Sequence, residues 1–153
     1  MSKWIIIVLL LPSIVFAGTG SVRVRGRLLC HGAPLANTTV AIYDKINFWP
    51  DEKWNSDTVD RHGHFSIDAS GFATFGVVPY FYAEFKCQKL FLSYCYNFLR
   101  IKIPKDYVAK SHFPERTLDI GEFELSKPYE NDRVGQMDFL EIFVGGSQTR
   151  CFI

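Results

Sequence analysis

From Val22 onward, apolar and polar side chains alternate with a period of two through most of the chain, the spacing that puts one face of a β-strand in a core and the other in water. Val22, Val24, Leu28 and Cys30 share one face of the first run, and Arg23, Arg25, Arg27 and Leu29 share the other, so three arginines line up in a row. His31-Gly32-Ala33-Pro34 supplies turn residues, and Thr38 to Tyr43 follows with Val40 and Ile42 on one face. These two runs read as a hairpin. A longer loop from Asp44 to Asn55 leads to Ser56–Val59 and then to the turn Asp60-Arg61-His62-Gly63, where Gly63 can take a positive φ. Beyond it Phe65, Ile67 and Ala69 alternate with His64, Ser66 and Asp68. Pro79 marks the start of the strand-forming run Tyr80–Phe85. In Tyr96–Ile103 the apolar Leu99, Ile101 and Ile103 alternate with Phe98, Arg100 and Lys102 until Pro104 stops the strand. Lys105 to Lys110 reads as a short helical turn and Thr117–Leu125 as a further alternating strand. About seven to eight short strands, no long amphipathic helix and no internal repeat predict an all-β sandwich of two sheets.

Composition adds an address. Lys3 precedes an uncharged run from Trp4 to Phe16, and Val15 and Ala17 place small residues before Gly18, the pattern of a secretory signal peptide over residues 1–17. The run is too short for a bilayer span, which takes ~20 apolar residues, and no later segment is long and apolar enough for a transmembrane anchor. The expected product is a secreted, extracellular domain over 18–153. Among the 153 residues there are 17 Lys and Arg against 16 Asp and Glu, and cleavage would remove only Lys3, so no global field exists to attract nucleic acid.

Secretion makes the four cysteines candidates for two disulfides, and three pairings are open. Spacing favours Cys87 with Cys95, a hairpin-sized loop, and Cys30 with Cys151, tying the first strand to the C-terminus. With no C-x-x-C and no finger spacing, a thiol catalyst or zinc site is not expected. His62 and His64 are two apart on one face, but lie in or beside a turn without a carboxylate motif to complete a metal site. No metal or cofactor is expected. Arg23, Arg25 and Arg27, extended by Arg100 and Lys102 if the strands are neighbours, could dock an anionic lipid or a sulfated sugar, against the commoner reading of a solvated sheet face or an edge strand protected by charge. Phe48, Trp49 and Trp54, in what reads as one loop, could anchor a partner or a membrane surface, against the commoner role of loop aromatics folded back as a lid on the core. Asn37-Thr38-Thr39 is a sequon in a turn, making Asn37 a glycosylation candidate.

The ordered motifs Val24-Arg25-Gly26-Arg27-Leu28-Leu29-Cys30-His31-Gly32-Ala33-Pro34, Val40-Ala41-Ile42-Tyr43-Asp44, Asp60-Arg61-His62-Gly63-His64-Phe65, Lys102-Ile103-Pro104-Lys105-Asp106-Tyr107-Val108 and Asp119-Ile120-Gly121, with a late Cys151, resemble the nematode transthyretin-like family of secreted proteins. The resemblance implies a transthyretin-like, immunoglobulin-like β-sandwich. Residues 126–153 depart from it, with Met137–Val144 as an added apolar stretch read as an extra strand or a partner-binding segment. Transthyretin relatives include 5-hydroxyisourate hydrolases, which end in Tyr-Arg-Gly-Ser and carry a His near the first strand paired with an Arg. This chain ends Arg150-Cys151-Phe152-Ile153 and has no His before Cys30. Convergent acid–base groups are absent from the matching positions, so catalysis is not expected. The expected function is recognition of an extracellular ligand, an anionic lipid or a cell-surface protein. The alternative is an oligomeric carrier of a small apolar ligand.

Overall fold

The computed structural model describes residues 18–87, 95–126 and 148–151. The expected leader and Met137–Val144 lie outside the described residues. Among the described residues nine strands form two sheets: β1 (Gly18–Cys30), β2 (Ala33–Pro34), β3 (Thr39–Asp44), β4 (Glu52–Thr58), β5 (His64–Ala73), β6 (Pro79–Phe85), β7 (Cys95–Lys102), β8 (Thr117–Glu124) and β9 (Gln148–Cys151). The first sheet runs β2-β1-β5, with β8 parallel to β1, and the second runs β4-β3-β6-β7-β9. A 3-10 turn, Lys105–Tyr107, sits where a helical turn is expected over Lys105–Lys110.

The alternation predicts the core correctly. Val22, Val24, Leu28, Phe65, Ile67, Leu118 and Ile120 from the first sheet face Val40, Ile42, Phe81, Ala83, Leu99 and Ile101 from the second, all buried. Phe65 stacks on Phe81 across the sandwich with ring centroids 5.0 Å apart. Gly63 takes φ 81°, and its missing side chain matters, since a Cβ there would stand 2.6 Å from the Leu28 carbonyl oxygen.

Three local expectations are corrected. β1 and β3 are not a hairpin. His31 and Gly32 both take positive φ, so the chain turns back at once into the two-residue β2, and β3 then crosses to the opposite sheet. The reason is packing: the apolar faces of β1 and β3 bury each other by facing across the core, while the edges of β1 are taken by β5 and β8.

The long loop expected from Asp44 to Asn55 is also shorter, because β4 begins at Glu52. β4 is an exposed edge strand in which only Trp54 is part-buried, so it carries no alternation to read. Trp54 packs against the core, over the paired glycines Gly20 and Gly71 of the first sheet. A Cβ on Gly71 would overlap its indole.

The disulfide is Cys30–Cys87, not Cys30–Cys151 with Cys87–Cys95, and it joins the end of β1 to the chain just beyond β6. It therefore bridges the two sheets at one end of the sandwich. Closing so long a loop stabilises the fold by about 4 kcal/mol in the chain-entropy account. Spacing favours neighbours in sequence, whereas topology brings these two Cα atoms within 5.6 Å across 57 positions.

Candidate binding site at the loop end of the sandwich

The strand registers sort the loops between two ends. Asp44 pairs with Pro79 and Gly18 with Ala73, so the β3–β4 loop, the β5–β6 loop and the start of the described chain share one end. The Ile103 amide donates to the Pro79 carbonyl and Ala109 bridges Ser21, which brings the β7–β8 connection there as well. All six large hydrophobic side chains that are exposed among the described residues belong to this end: Phe48, Trp49, Phe72, Phe75, Val78 and Phe113. Single exposed apolar residues are ordinary; six gathered at one end of a sandwich make that end the candidate site.

Phe48 is the extreme case. It is 102% exposed and sits at φ 70°, a left-handed conformation that costs a bulky residue strain and here gains no burial in return. Hydrogen bonds hold the loop at both stems. Asp44 is buried, and its Oδ1 accepts the Val78 N–H at 2.6 Å, while the Lys45 N–H donates to the Val78 carbonyl. Burial pushes the Asp44 carboxyl above the usual carboxylate range, against the lowering effect of the Val78 amide. At the other stem Asp51 Oδ2 accepts the Tyr80 hydroxyl at 2.6 Å, and the Arg100 guanidinium lies 4.2 Å from the centre of the Tyr80 ring. Burial, then the bond to Asp51, raises the Tyr80 hydroxyl, so it stays a donor. Tyr43 stacks on Tyr80 at 5.6 Å and completes the base.

Of the candidate residues, Phe48 and Trp49 are at this end and exposed, and Trp54 is not part of that surface. The arginine row lies on the outer face of the first sheet, where each member has an acid on a neighbouring strand. Arg23 makes a two-point contact with Asp68 at 2.6 and 2.7 Å, Arg25 reaches Asp119 at 2.8 Å, and Arg27 reaches Glu122 at 2.9 Å. Arg23 draws the Asp68 carboxyl below the usual range, and the Gly121 amide, then Arg25, do the same for Asp119. The row is formally neutral as a unit. Arg100 and Lys102 do not extend it, because β7 belongs to the other sheet. A shallow depression of about 400 Å³ lies over Gly26, where the β1–β8 register shifts, and is lined by two of these pairs, Arg25 with Asp119 and Arg27 with Glu122.

Asn37 is exposed, at φ 59°, in the turn before β3 at the opposite end of the sandwich. His62 and His64 donate their amides to Asp60 Oδ1, closing the turn. Among the described residues, one trio of ligand type converges, Cys30, His31 and Cys87, and its two sulfurs are joined in the disulfide. Phe72, Phe75, Val78 and Phe113 were not expected as site residues. The available signal was an aromatic beside glycine in a connector, as in Phe75-Gly76, where a core role is improbable.

A family model described as "TTR-52: Transthyretin-like family" matches residues 25–104. Transthyretin-like protein 2 of Caenorhabditis elegans is 32% identical over 143 residues, covering 86% of this chain and 96% of that protein. Transthyretin-like protein 46 of the same organism is 26% identical over 73% of this chain and 63% of its own length. Among solved structures, a 9R-lipoxygenase from Cyanothece aligns over 72% of this chain and 17% of its own, with 19% identity and a TM-score of 0.42. From its first arginine row to the proline that ends β7, and in a relative of matching length, the chain belongs to the transthyretin-like family.

Proposed function

We propose that this protein is a secreted recognition module that acts by binding, not by catalysis, and docks on a cell-surface protein through the loop end of the sandwich. The observation that carries the reading is the gathering of every exposed large hydrophobic among the described residues on that end, with Phe48 held out in a strained conformation. A protein partner fits better than an anionic lipid headgroup, since the arginine row that would attract the headgroup is matched acid for base. Asn37 suits the same orientation: a glycan there would project from the end away from the docking loops.

The test is flow cytometry of the fluorescently labelled, secreted protein on intact cells, beside flotation with phosphatidylcholine vesicles with and without phosphatidylserine. Replacing Phe48, Trp49 and Phe75 by Ser should cut cell binding at least tenfold with little change in the melting temperature, because Phe48 and Phe75 are fully exposed and Trp49 is 75% exposed. Undiminished binding by that variant overturns the reading. Binding to protein-free vesicles at the strength seen on cells would replace the protein partner with lipid. A native mass spectrum showing a dimer or tetramer with a small apolar adduct would favour the carrier.

A further inference from the structure

We infer that Cys95 and Cys151 form a second disulfide that fastens the C-terminal strand β9 to β7. In the antiparallel β7–β9 pair Cys95 stands directly opposite Cys151, followed by Tyr96 opposite Arg150, Asn97 opposite Thr149 and Phe98 opposite Gln148. Directly opposed residues of an antiparallel pair have Cα atoms ~4.5 or ~5.5 Å apart, according to whether they lie at a non-hydrogen-bonded or a hydrogen-bonded position. Both values fall within the ~4.4–6.8 Å that a disulfide spans. Cys30 and Cys87 are already joined, so of the three pairings open to four cysteines only this one is left.

The bond is made by thiol–disulfide exchange with a protein or glutathione disulfide of the secretory compartment. Each cysteine loses its proton, the sulfurs join, and the two electrons reduce the oxidant to its dithiol. The consequence is structural and local. β9 has four residues and forms the outer edge of the second sheet, where so short a strand gains little from its own ladder and would otherwise fray. Fastened at Cys151, it keeps the backbone groups of β7 paired and unavailable to another chain.

Tryptic mapping of the full chain, secreted from eukaryotic cells and alkylated without reduction, decides the matter. Cleavage after Lys86, Lys89, Arg100 and Arg150 puts the four cysteines on four different peptides. The expected species are the Cys95 peptide, Leu90–Arg100, linked to Cys151–Ile153, and Cys87–Lys89 linked to Leu28–Lys45, each lighter by two hydrogens than its two parts. Recovery of Leu90–Arg100 and Cys151–Ile153 as separate alkylated peptides, or of Leu90–Arg100 linked to Cys87–Lys89, overturns the inference. As a second readout, Cys95→Ser and Cys151→Ser, singly and together, should each speed amide exchange of Tyr96–Phe98 more than tenfold while leaving Val22–Leu28 as in the parent. Unchanged exchange there would show that β9 needs no covalent tie.

Discussion

Substituting Gly71 by Ala tests whether Trp54 is a structural wedge between the sheets or a binding residue. Gly71 lies on β5 opposite Gly20, and the Trp54 indole of β4 covers both. A Cβ on Gly71 overlaps Nε1 and Cε2 of the ring, so the indole must move outward and lose contact with the core. Overpacking of this kind costs ~1–3 kcal/mol. Replacing a glycine whose φ is not positive returns ~0.4–1 kcal/mol by restricting the unfolded chain. At the middle of these ranges the net destabilisation expected for Gly71→Ala is about 1.3 kcal/mol, read as a fall of about 0.6 M in the urea midpoint at a slope of about 2 kcal/mol per M. The decisive comparison is the cycle with Trp54→Ala. Removing the indole should itself destabilise, but in that background Gly71→Ala should become neutral or slightly stabilising, a coupling of about 1–3 kcal/mol, the overpacking cost that is removed. Both single variants should leave cell binding of the folded protein intact. An equal cost for Gly71→Ala in the two backgrounds would refute the wedge, and loss of binding on Trp54→Ala at full stability would return Trp54 to the docking surface.

Two further outcomes are expected. Burial alone would raise the Glu124 carboxyl, but hydrogen bonds from the Ser126 hydroxyl and amide and from the Gly32 and His31 amides outweigh it and hold the group at about 2. A folded value below the unfolded one gives stability that is present above about pH 4.5 and lost as pH falls toward 2; Glu124→Gln should flatten this acid limb of unfolding free energy against pH by about 1–2 kcal/mol after solvent screening, and an unchanged limb would sink the assignment. Replacing Arg23, Arg25 and Arg27 together by Gln should leave cell binding within about twofold at physiological salt, since the row is already neutralised, and a larger loss would show that its cations reach the partner.

How far the chain could be read beforehand depends on the range of the interaction. Alternation within one strand identifies which side chains of β1, β5 and β8 are buried, because the face a residue occupies is a local property. The Asp60–Gly63 turn is local too, closed by Asp60 on the amides two and four positions on. The row of arginines was legible for the same reason, but its neutrality was not. Asp68 lies 45 positions from Arg23 and Asp119 lies 94 from Arg25, and only strand order brings them together. The same holds for Cys30–Cys87, and for Phe75 and Phe113 joining Phe48 and Trp49 at one end. β4 escaped detection because an exposed edge strand has almost no apolar face.

The two ends of the sandwich are built by different chemistry, and the difference bears on function. At the Asn37 end the sheets are joined covalently through Cys30–Cys87, and the turns are closed by Glu124 on His31 and Gly32 and by Asp60 on His62 and His64. Few large apolar groups are left over there to bind anything, and none among the described residues is exposed. At the other end no disulfide is found among the described residues and hydrogen bonds hold the loop stems, from the Val78 amide to Asp44, the Tyr80 hydroxyl to Asp51 and the Ile103 amide to Pro79, while the tips carry phenylalanine and tryptophan into water. Rigid stems with apolar tips are what docking needs. Ordering entropy is kept low because the loops are already placed, and burial of the tips supplies the gain at ~25 cal/mol per Å² when a partner covers them. Phe48 weighs most in this balance. Strain and exposure both act against the isolated fold at that residue, which is why the proposed docking places Phe48 at the centre of the contact.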